Sequence, residues 1–282
     1  MILIVGGSGF IGTRICRRLE NDKVQFTIID KIISRTFPER TVQCDIRNLD
    51  DLSKKLRGDV IINLAAEHRD DITPRSLYDE VNVQGAKNVC EAAERNHIDT
   101  IIFTSSVAVY GFAPIGTDET GEIHYFNDYG RTKSEAEKVY KSWFEKDAEH
   151  RKLVIVRPTV VFGEQNRGNV YNLLKQISSS VFMMVGSGKN IKSMAYVENV
   201  AAFLEYALSF GRGFYLYNYV DKPDFDMNTL VRIVYDQLCR KPMTSLHLPY
   251  WMGYTGGKLF DLLALISHKK LTISSIRIKK FC

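Results

Sequence analysis

No run of about 18 consecutive apolar residues occurs in the 282-residue chain, so the sequence predicts no membrane-spanning helix. A basic leader is also missing: Met1 runs directly into Ile2, Leu3, Ile4 and Val5, which reads as a strand and predicts a cytoplasmic protein. Cysteine is sparse. The five thiols (Cys16, Cys44, Cys90, Cys239, Cys282) are odd in number and scattered, with no Cys-x-x-Cys pair, which argues against a disulfide framework and a zinc site and predicts reduced side chains and no metal. No nucleic-acid-reading motif accompanies the basic residues, so no nucleic-acid partner is expected.

With 45% hydrophobic and 25% charged residues, the composition is that of a soluble globular chain. Its length suffices for one large α/β core with a smaller lobe. The net charge of +5 is uneven: from Trp251 onward Lys258, Lys269, Lys270, Arg277, Lys279 and Lys280 face Asp261 alone, so the first 250 residues are close to neutral. The basic excess belongs to the C-terminal end.

The opening strand leads into Gly6-Gly7-Ser8-Gly9-Phe10-Ile11-Gly12 and a helical pattern with Ile15 and Leu19 on one face. Glycines in a strand-to-helix turn let the backbone approach a pyrophosphate, whose charge then sits at the positive helix N-terminus. A second strand ends at Asp30, the offset at which a carboxylate takes ribose hydroxyls and disfavours a 2′-phosphate, so NAD is expected over NADP. Lys31 and Arg35 follow and can soften that preference. Cys44-Asp45-Ile46 is expected to close a third strand, and residues 60–66, ending in Leu64-Ala65-Ala66, read as one buried strand. Small Ala65 and Ala66 either leave room for a cofactor or serve tight helix–sheet packing.

The charged loop Glu67-His68-Arg69-Asp70-Asp71 emerges at the ligand-binding edge of such a sheet. His68 and Arg69 either touch substrate or are merely solvated. A helix through residues 81–93 leads to a strand at 100–103 and then to Thr104-Ser105-Ser106, hydroxyls at a strand's carboxyl end. Further on, Tyr129-Gly130-Arg131-Thr132-Lys133 places a phenol and an ammonium four residues apart on one helix face. A lysine beside a tyrosine lowers the phenol's pKa, so Tyr129 can serve as a general acid/base; the same spacing also occurs on solvated surface helices. Residues 200–204 and 214–217 read as core.

Taken in order, Gly6, Gly9 and Gly12, Asp30, Asp45-Ile46, Asn63-Leu64-Ala65-Ala66, Ser106 four residues before Tyr110, Tyr129-x-x-x-Lys133 and Arg157-Pro158 resemble the extended short-chain dehydrogenase/reductase family of NAD-dependent sugar epimerases and dehydratases. The resemblance implies a Rossmann fold, α/β and doubly wound, with residues 1–163 and 191–219 binding NAD and residues 164–190 and 220–282 forming a smaller substrate lobe. It implies Ser106, Tyr129 and Lys133 as the catalytic set. Gly6, Gly9, Phe10, Ile11, Gly12, Asp30, Asp45, Ile46, Leu64, Ala65 and Ala66, with Tyr129 and Lys133, are then the cofactor site. Dehydratases of the family carry an Asp-Glu pair after the serine; Val107 and Ala108 stand here and move no proton, which favours inversion or reduction. The proline common before the tyrosine is replaced by Asn127-Asp128.

Many nucleotide-sugar epimerases place an asparagine three residues before the glycine found here as Gly163, whereas this chain has Val160, which weakens the case for a UDP-linked sugar. Arg167 and Asn169 lie in a polar loop before a helix N-terminus, where Arg167 either clamps a diphosphate or is a surface arginine. Residues 66–71, 78–85, 103–111, 167–176, 192–197, 217–223 and 279–282 are similar to a narrower group, bacterial 4-epimerases acting on N-acetylglucosamine linked through diphosphate to undecaprenol in O-antigen assembly. That resemblance implies a lipid-linked or nucleotide-linked amino sugar as substrate, a homodimer formed through residues 81–93 and 129–143, and a chain shortened at Cys282. The aromatic stretch 250–254 and the apolar stretch 259–266, with Lys258 before it and His268, Lys269 and Lys270 after, either settle at an anionic membrane surface or pack on the lobe's own core.

Overall fold

The computed structural model describes residues 1–69, 72–179, 182–239 and 246–267, and of 246, 247 and 259–267 the backbone path alone. Two compact units result: Met1–Gln165 with Ala195–Val220, and Asn166–Met194 with the described residues from Asp221 on.

The first unit is built on strands β1 (Ile2–Val5), β2 (Phe26–Asp30), β3 (Thr41–Gln43), β4 (Val60–Asn63), β5 (Thr100–Thr104), β6 (Lys152–Pro158) and β11 (Gly213–Tyr219). They form one parallel sheet in the order β11-β6-β5-β4-β1-β2-β3. This is the doubly wound arrangement expected, and strand order reverses between β1 and β4, where such sheets open a ligand crevice. Helices cover both faces. On one, α1 (Phe10–Asn21) and α7 (Val197–Tyr206) bury Ile15, Leu19, Val200 and Leu204 against Ile4, Ile62 and Val154. Burying each contributes about 1.5–3 kcal/mol, which outweighs the ~0.5 kcal/mol that a β-branched residue costs a helix. On the other face lie α2 (Leu49–Lys55), the short α3 (Ser76–Tyr78) continuing as a π-helical segment Asp79–Gln84 into α4 (Gly85–Arg95), and α5 (Asp128–Glu145).

Three expectations about strands need correction. The third strand ends at Gln43, before Cys44-Asp45-Ile46, and Asp45 turns instead to the amide and guanidinium of Arg47. The fourth ends at Asn63: its side chain accepts the Ala65 amide at 3.0 Å, and Leu64-Ala65-Ala66 continue as irregular backbone, not strand. β11 is the sheet edge, leaving Phe214 39% exposed instead of core.

In the second unit, α6 (Asn169–Ser178) and α8 (Met227–Gln237) pack Leu173, Ile177, Leu230 and Tyr235 around Met184. The short strands β8 (Met183–Val185) and β13 (Leu246–Leu248) pair in parallel, as β9 (Ile191–Lys192) and β12 (Phe225–Asp226) do antiparallel. Back in the first unit, β7 (Val160–Phe162) pairs with β10 (Met194–Tyr196), which begins at the border. The stretch at 250–266 is helical, as α9 (Tyr250–Ser267). No helix among the described residues is long and apolar enough to cross a membrane. Asp70, Asp71, His268, Lys269, Lys270, Arg277, Lys279, Lys280 and Cys282 lie outside the described residues.

Candidate active site

Helix α5 carries the tyrosine and the lysine because its start is specified locally. Asn127 is the N-cap, its side chain accepting the Gly130 amide at 2.9 Å, and Asp128 places a negative charge in the first turn. The asparagine thus starts the helix at Asp128. Lys133, Ala136, Glu137, Tyr140 and Trp143 then recur at helical spacing and are all buried.

Ser106 follows β5 and caps a 3-10 turn (Val107–Tyr110), its Oγ accepting the Ala108 amide at 3.1 Å. That turn and α5 approach so closely that a Cβ on Gly130 would sit 2.4 Å from the Ala108 carbonyl oxygen. The approach brings the Ser106 hydroxyl close to the Tyr129 phenol. Burial pushes the Tyr129 phenol up to about 12, the nearby Ser106 hydroxyl opposing and Tyr78 adding to the rise.

Lys133 is 3% exposed and donates to the Thr104 carbonyl at 2.7 Å, with its Nζ 4.7 Å from the centre of the Phe103 ring. The expected lysine beside the tyrosine therefore shares a helix face with it, but its hydrogen bond goes to the end of β5. A carbonyl satisfies a buried ammonium better than a neutral phenol does. Burial holds the Lys133 amine down to about 7, with the Glu137 carboxylate opposing.

The glycine-rich turn lies at the β1/β4 reversal. Gly6 has φ +79°, and a Cβ there would be 2.6 Å from the Ala65 amide nitrogen, so glycine alone lets this turn approach the backbone after β4. The N-cap of α1 is Gly9, which has no side chain to cap the helix, leaving its first-turn amides (Phe10, Ile11 and Gly12) without a side-chain acceptor. Asp30 accepts the Ser8 amide and the Ile32 amide, each at 3.0 Å, which draws the end of β2 onto the same turn. Beyond β3, Ile46 is buried against Gly85, and its carbonyl accepts from Asn88 at 2.8 Å. These groups fit a dinucleotide. The glycine turn is open at Gly9, where a Cβ would meet only the Gly6 carbonyl at 3.3 Å, and the buried ammonium of Lys133 has one hydrogen-bond acceptor.

His68 and Arg69 are exposed in the loop after β4, Arg69 lying 3.7 Å from the Glu67 carboxylate. The base of that loop is fixed by a residue that sequence reading passed over. Asn82, 4% exposed, accepts the Glu67 amide at 2.8 Å, donates to the Glu67 carbonyl at 2.9 Å and to the Thr132 hydroxyl at 3.0 Å. It therefore ties the loop to α5, helped by the two-pronged Arg131–Asp79 pair at 2.8 Å on each side. An asparagine inside an apolar helical pattern was the available signal. Arg167 and Asn169 are exposed in the second unit, at the N-terminal end of α6, whose N-cap is Gly168.

The model of the NAD dependent epimerase/dehydratase family matches residues 2–218. The chain is 51% identical, over its full length and 85% of the relative, to an N-acetyl-alpha-D-glucosaminyl-diphospho-ditrans,octacis-undecaprenol 4-epimerase of Escherichia coli O157:H7. A UDP-glucose 4-epimerase of Vibrio cholerae is 27% identical over 92% of this chain and 82% of its own. Among solved structures, a UDP-glucuronic acid 4-epimerase from Bacillus cereus in complex with NAD superposes with a TM-score of 0.73 at 22% identity, covering 88% of this chain and 87% of the other.

Proposed function

The chain belongs to the NAD-dependent epimerase/dehydratase family, and on that premise we propose that it inverts C4 of N-acetylglucosamine carried on undecaprenyl diphosphate. The observation that carries the substrate is the 51% identity along the whole chain to an enzyme named for that reaction; the UDP-sugar relative shares 27%. The hydroxyl pair of Ser106 and Tyr129 supports the chemistry. A sugar of this kind serves O-antigen and lipopolysaccharide assembly.

NAD, the cofactor of this family, would supply when bound a site that can take up a hydride from the sugar and give it back. In our reading Gly6, Gly9, Phe10, Ile11 and Gly12 hold its pyrophosphate at the N-terminus of α1, and Asp30 takes its ribose hydroxyls. Asp45, Ile46, Leu64, Ala65 and Ala66 line the remainder. Tyr129 removes the proton of the C4 hydroxyl, and Ser106 hydrogen-bonds the same oxygen so that it faces the phenol. Lys133 donates to the nicotinamide ribose and, when protonated, lowers the cost of the Tyr129 phenolate. The resulting 4-keto sugar must present its other face before the hydrogen returns, when Tyr129 gives the proton back. Turnover therefore needs substrate contacts that release the ring between the two transfers; we assign substrate contact in the first unit to His68 and Arg69 and, separately, in the second unit to Arg167 and Asn169.

We further propose that the chain works as a homodimer through residues 81–93 and 129–143 and touches the inner membrane face peripherally. Exposure of Tyr250, Trp251 and Met252 at the start of α9, with Lys258 two turns on, supports the second point. The test of substrate is a parallel assay in detergent with undecaprenyl-diphosphate GlcNAc or UDP-GlcNAc, scored for the C4-inverted sugar. Inversion of the lipid-linked sugar is expected; turnover of UDP-GlcNAc alone would replace this reading with an ordinary UDP-HexNAc 4-epimerase.

A further inference from the structure

We propose that the buried Arg157–Glu137 pair is a positioning device that holds Ser106 in register with Tyr129 and Lys133. The claim rests on the assignment of those three residues to the reaction. Glu137 lies one turn beyond Lys133 and two beyond Tyr129 on α5, and its carboxylate accepts from Arg157 Nε at 2.8 Å, from an Arg157 terminal nitrogen at 2.5 Å and from the Ser105 hydroxyl. The other terminal nitrogen of Arg157 donates to the Tyr110 hydroxyl, whose ring lies 4.9 Å beneath the guanidinium. Tyr110 in turn donates to Asn218 Oδ1 on β11 at 2.9 Å.

Ser105 and Tyr110 flank the segment that carries Ser106. One side of it is therefore bonded to the carboxylate and the other to the guanidinium of a single ion pair. The same carboxylate is part of the helix that carries Tyr129 and Lys133. Any shift of α5 along the sheet must break the two-pronged contact to β6, and any shift of the serine turn must break a bond to Ser105 or Tyr110. Stability does not require such a pair. Both partners are at least nine-tenths buried, and a buried ion pair is commonly no more stable than aliphatic side chains filling its space. What aliphatic side chains cannot do is fix direction, and misplacing a reacting group by about 1 Å can cost about 100-fold in rate.

The test uses the full-length protein with NAD and compares E137Q/R157M, which removes both charges together, with R157K, which keeps the charge and gives up the fork. Turnover, KM, bound NAD, melting temperature and the effect of deuterium at C4 on kcat are measured for each. The double variant is expected to bind NAD and to keep KM within about twofold, while kcat falls roughly 10- to 100-fold and the isotope effect on kcat grows as hydride transfer becomes limiting. For R157K an intermediate loss with the same signature is expected, and this arm decides should the double variant melt below the assay temperature. A kcat within twofold of wild type, or a loss that only tracks melting and NAD content with the isotope effect unchanged, would overturn the proposal. Y129F run alongside separates the two claims: if it turns over normally, the assignment of the site has failed and the positioning claim falls with it, whereas an inactive Y129F beside fully active pair variants removes the positioning claim alone.

Discussion

Tyr129 and Lys133 share one face of α5, and burial drives each toward its uncharged form, the phenol up to about 12 and the amine down to about 7. On the proposed role of Tyr129 as acid/base, loss of its hydroxyl removes the proton-transfer step. Y129F is expected to lower kcat by about 10²- to 10⁴-fold with NAD still bound, checked by single-turnover kinetics and cofactor content; retention of rate would remove Tyr129 from the chemistry. For the lysine, the consequence is a stability that depends on pH. An unfolded chain holds the Lys133 proton up to about pH 10.4, whereas the folded chain gives it up near 7. Between those values the unfolded state binds more protons, so the penalty on folding is full below pH 7, shrinks as pH rises and has vanished above about 10.4. K133M should therefore stabilise the cofactor-free protein at pH 6, on the order of a few kcal/mol, with the advantage fading toward pH 10. Thermal melts of both proteins across that range provide the check, and a difference that does not change with pH would contradict it.

At the scale of elements, α5 and the serine turn depend on a helix that begins at one position and on a contact that only glycine permits. N127A removes the cap and should cost about 1 kcal/mol, read as a small fall in melting temperature. G130A puts a Cβ where the Ala108 carbonyl oxygen is 2.4 Å away, so the helix must move off the turn and part the Ser106 and Tyr129 hydroxyls. We expect G130A to lose at least tenfold in kcat and more than N127A; equal kcat in the two would show that the close approach is not needed. Much at this scale was legible in the sequence. The apolar runs at β1, β4 and β5, the glycine turn, Asp30 and the Tyr129/Lys133 spacing each follow from a local pattern of period, turn residue or offset. Less legible were the ends of β3 and β4, because neither the Asp45 side chain that turns to Arg47 nor the Asn63 side chain that folds onto the Ala65 amide carries a hydrophobic signal. The π-helical segment that brings Asn82 under the Glu67 loop was unreadable for a related reason: its apolar pattern is that of an ordinary helix, and only the long-range bonds to Glu67 and Thr132 distinguish it. The destination of the Lys133 ammonium was likewise set by a strand that α5 meets only once folded.

For the molecule as a whole, the fold and cofactor follow from the family, while the substrate depends on residues that composition alone does not assign. The exposed aromatic start of α9 and the basic residues beyond Trp251 lead to one further expectation. Binding to anionic vesicles should exceed binding to neutral ones and weaken with salt, each lysine near the surface contributing about 1 kcal/mol, and W251A should bind less; sedimentation independent of lipid charge would assign the tail to the lobe alone. The central claim is that Tyr129, aligned by Ser106 and Lys133, opens a route by which one hydrogen leaves C4 and returns to its opposite face. It is tested most directly with undecaprenyl-diphosphate GlcNAc carrying deuterium at C4, turned over in ordinary water. The inverted sugar is predicted to keep its deuterium, and Y129F to form none of it. Loss of the label to solvent, or inversion by Y129F at an unchanged rate, would contradict the account.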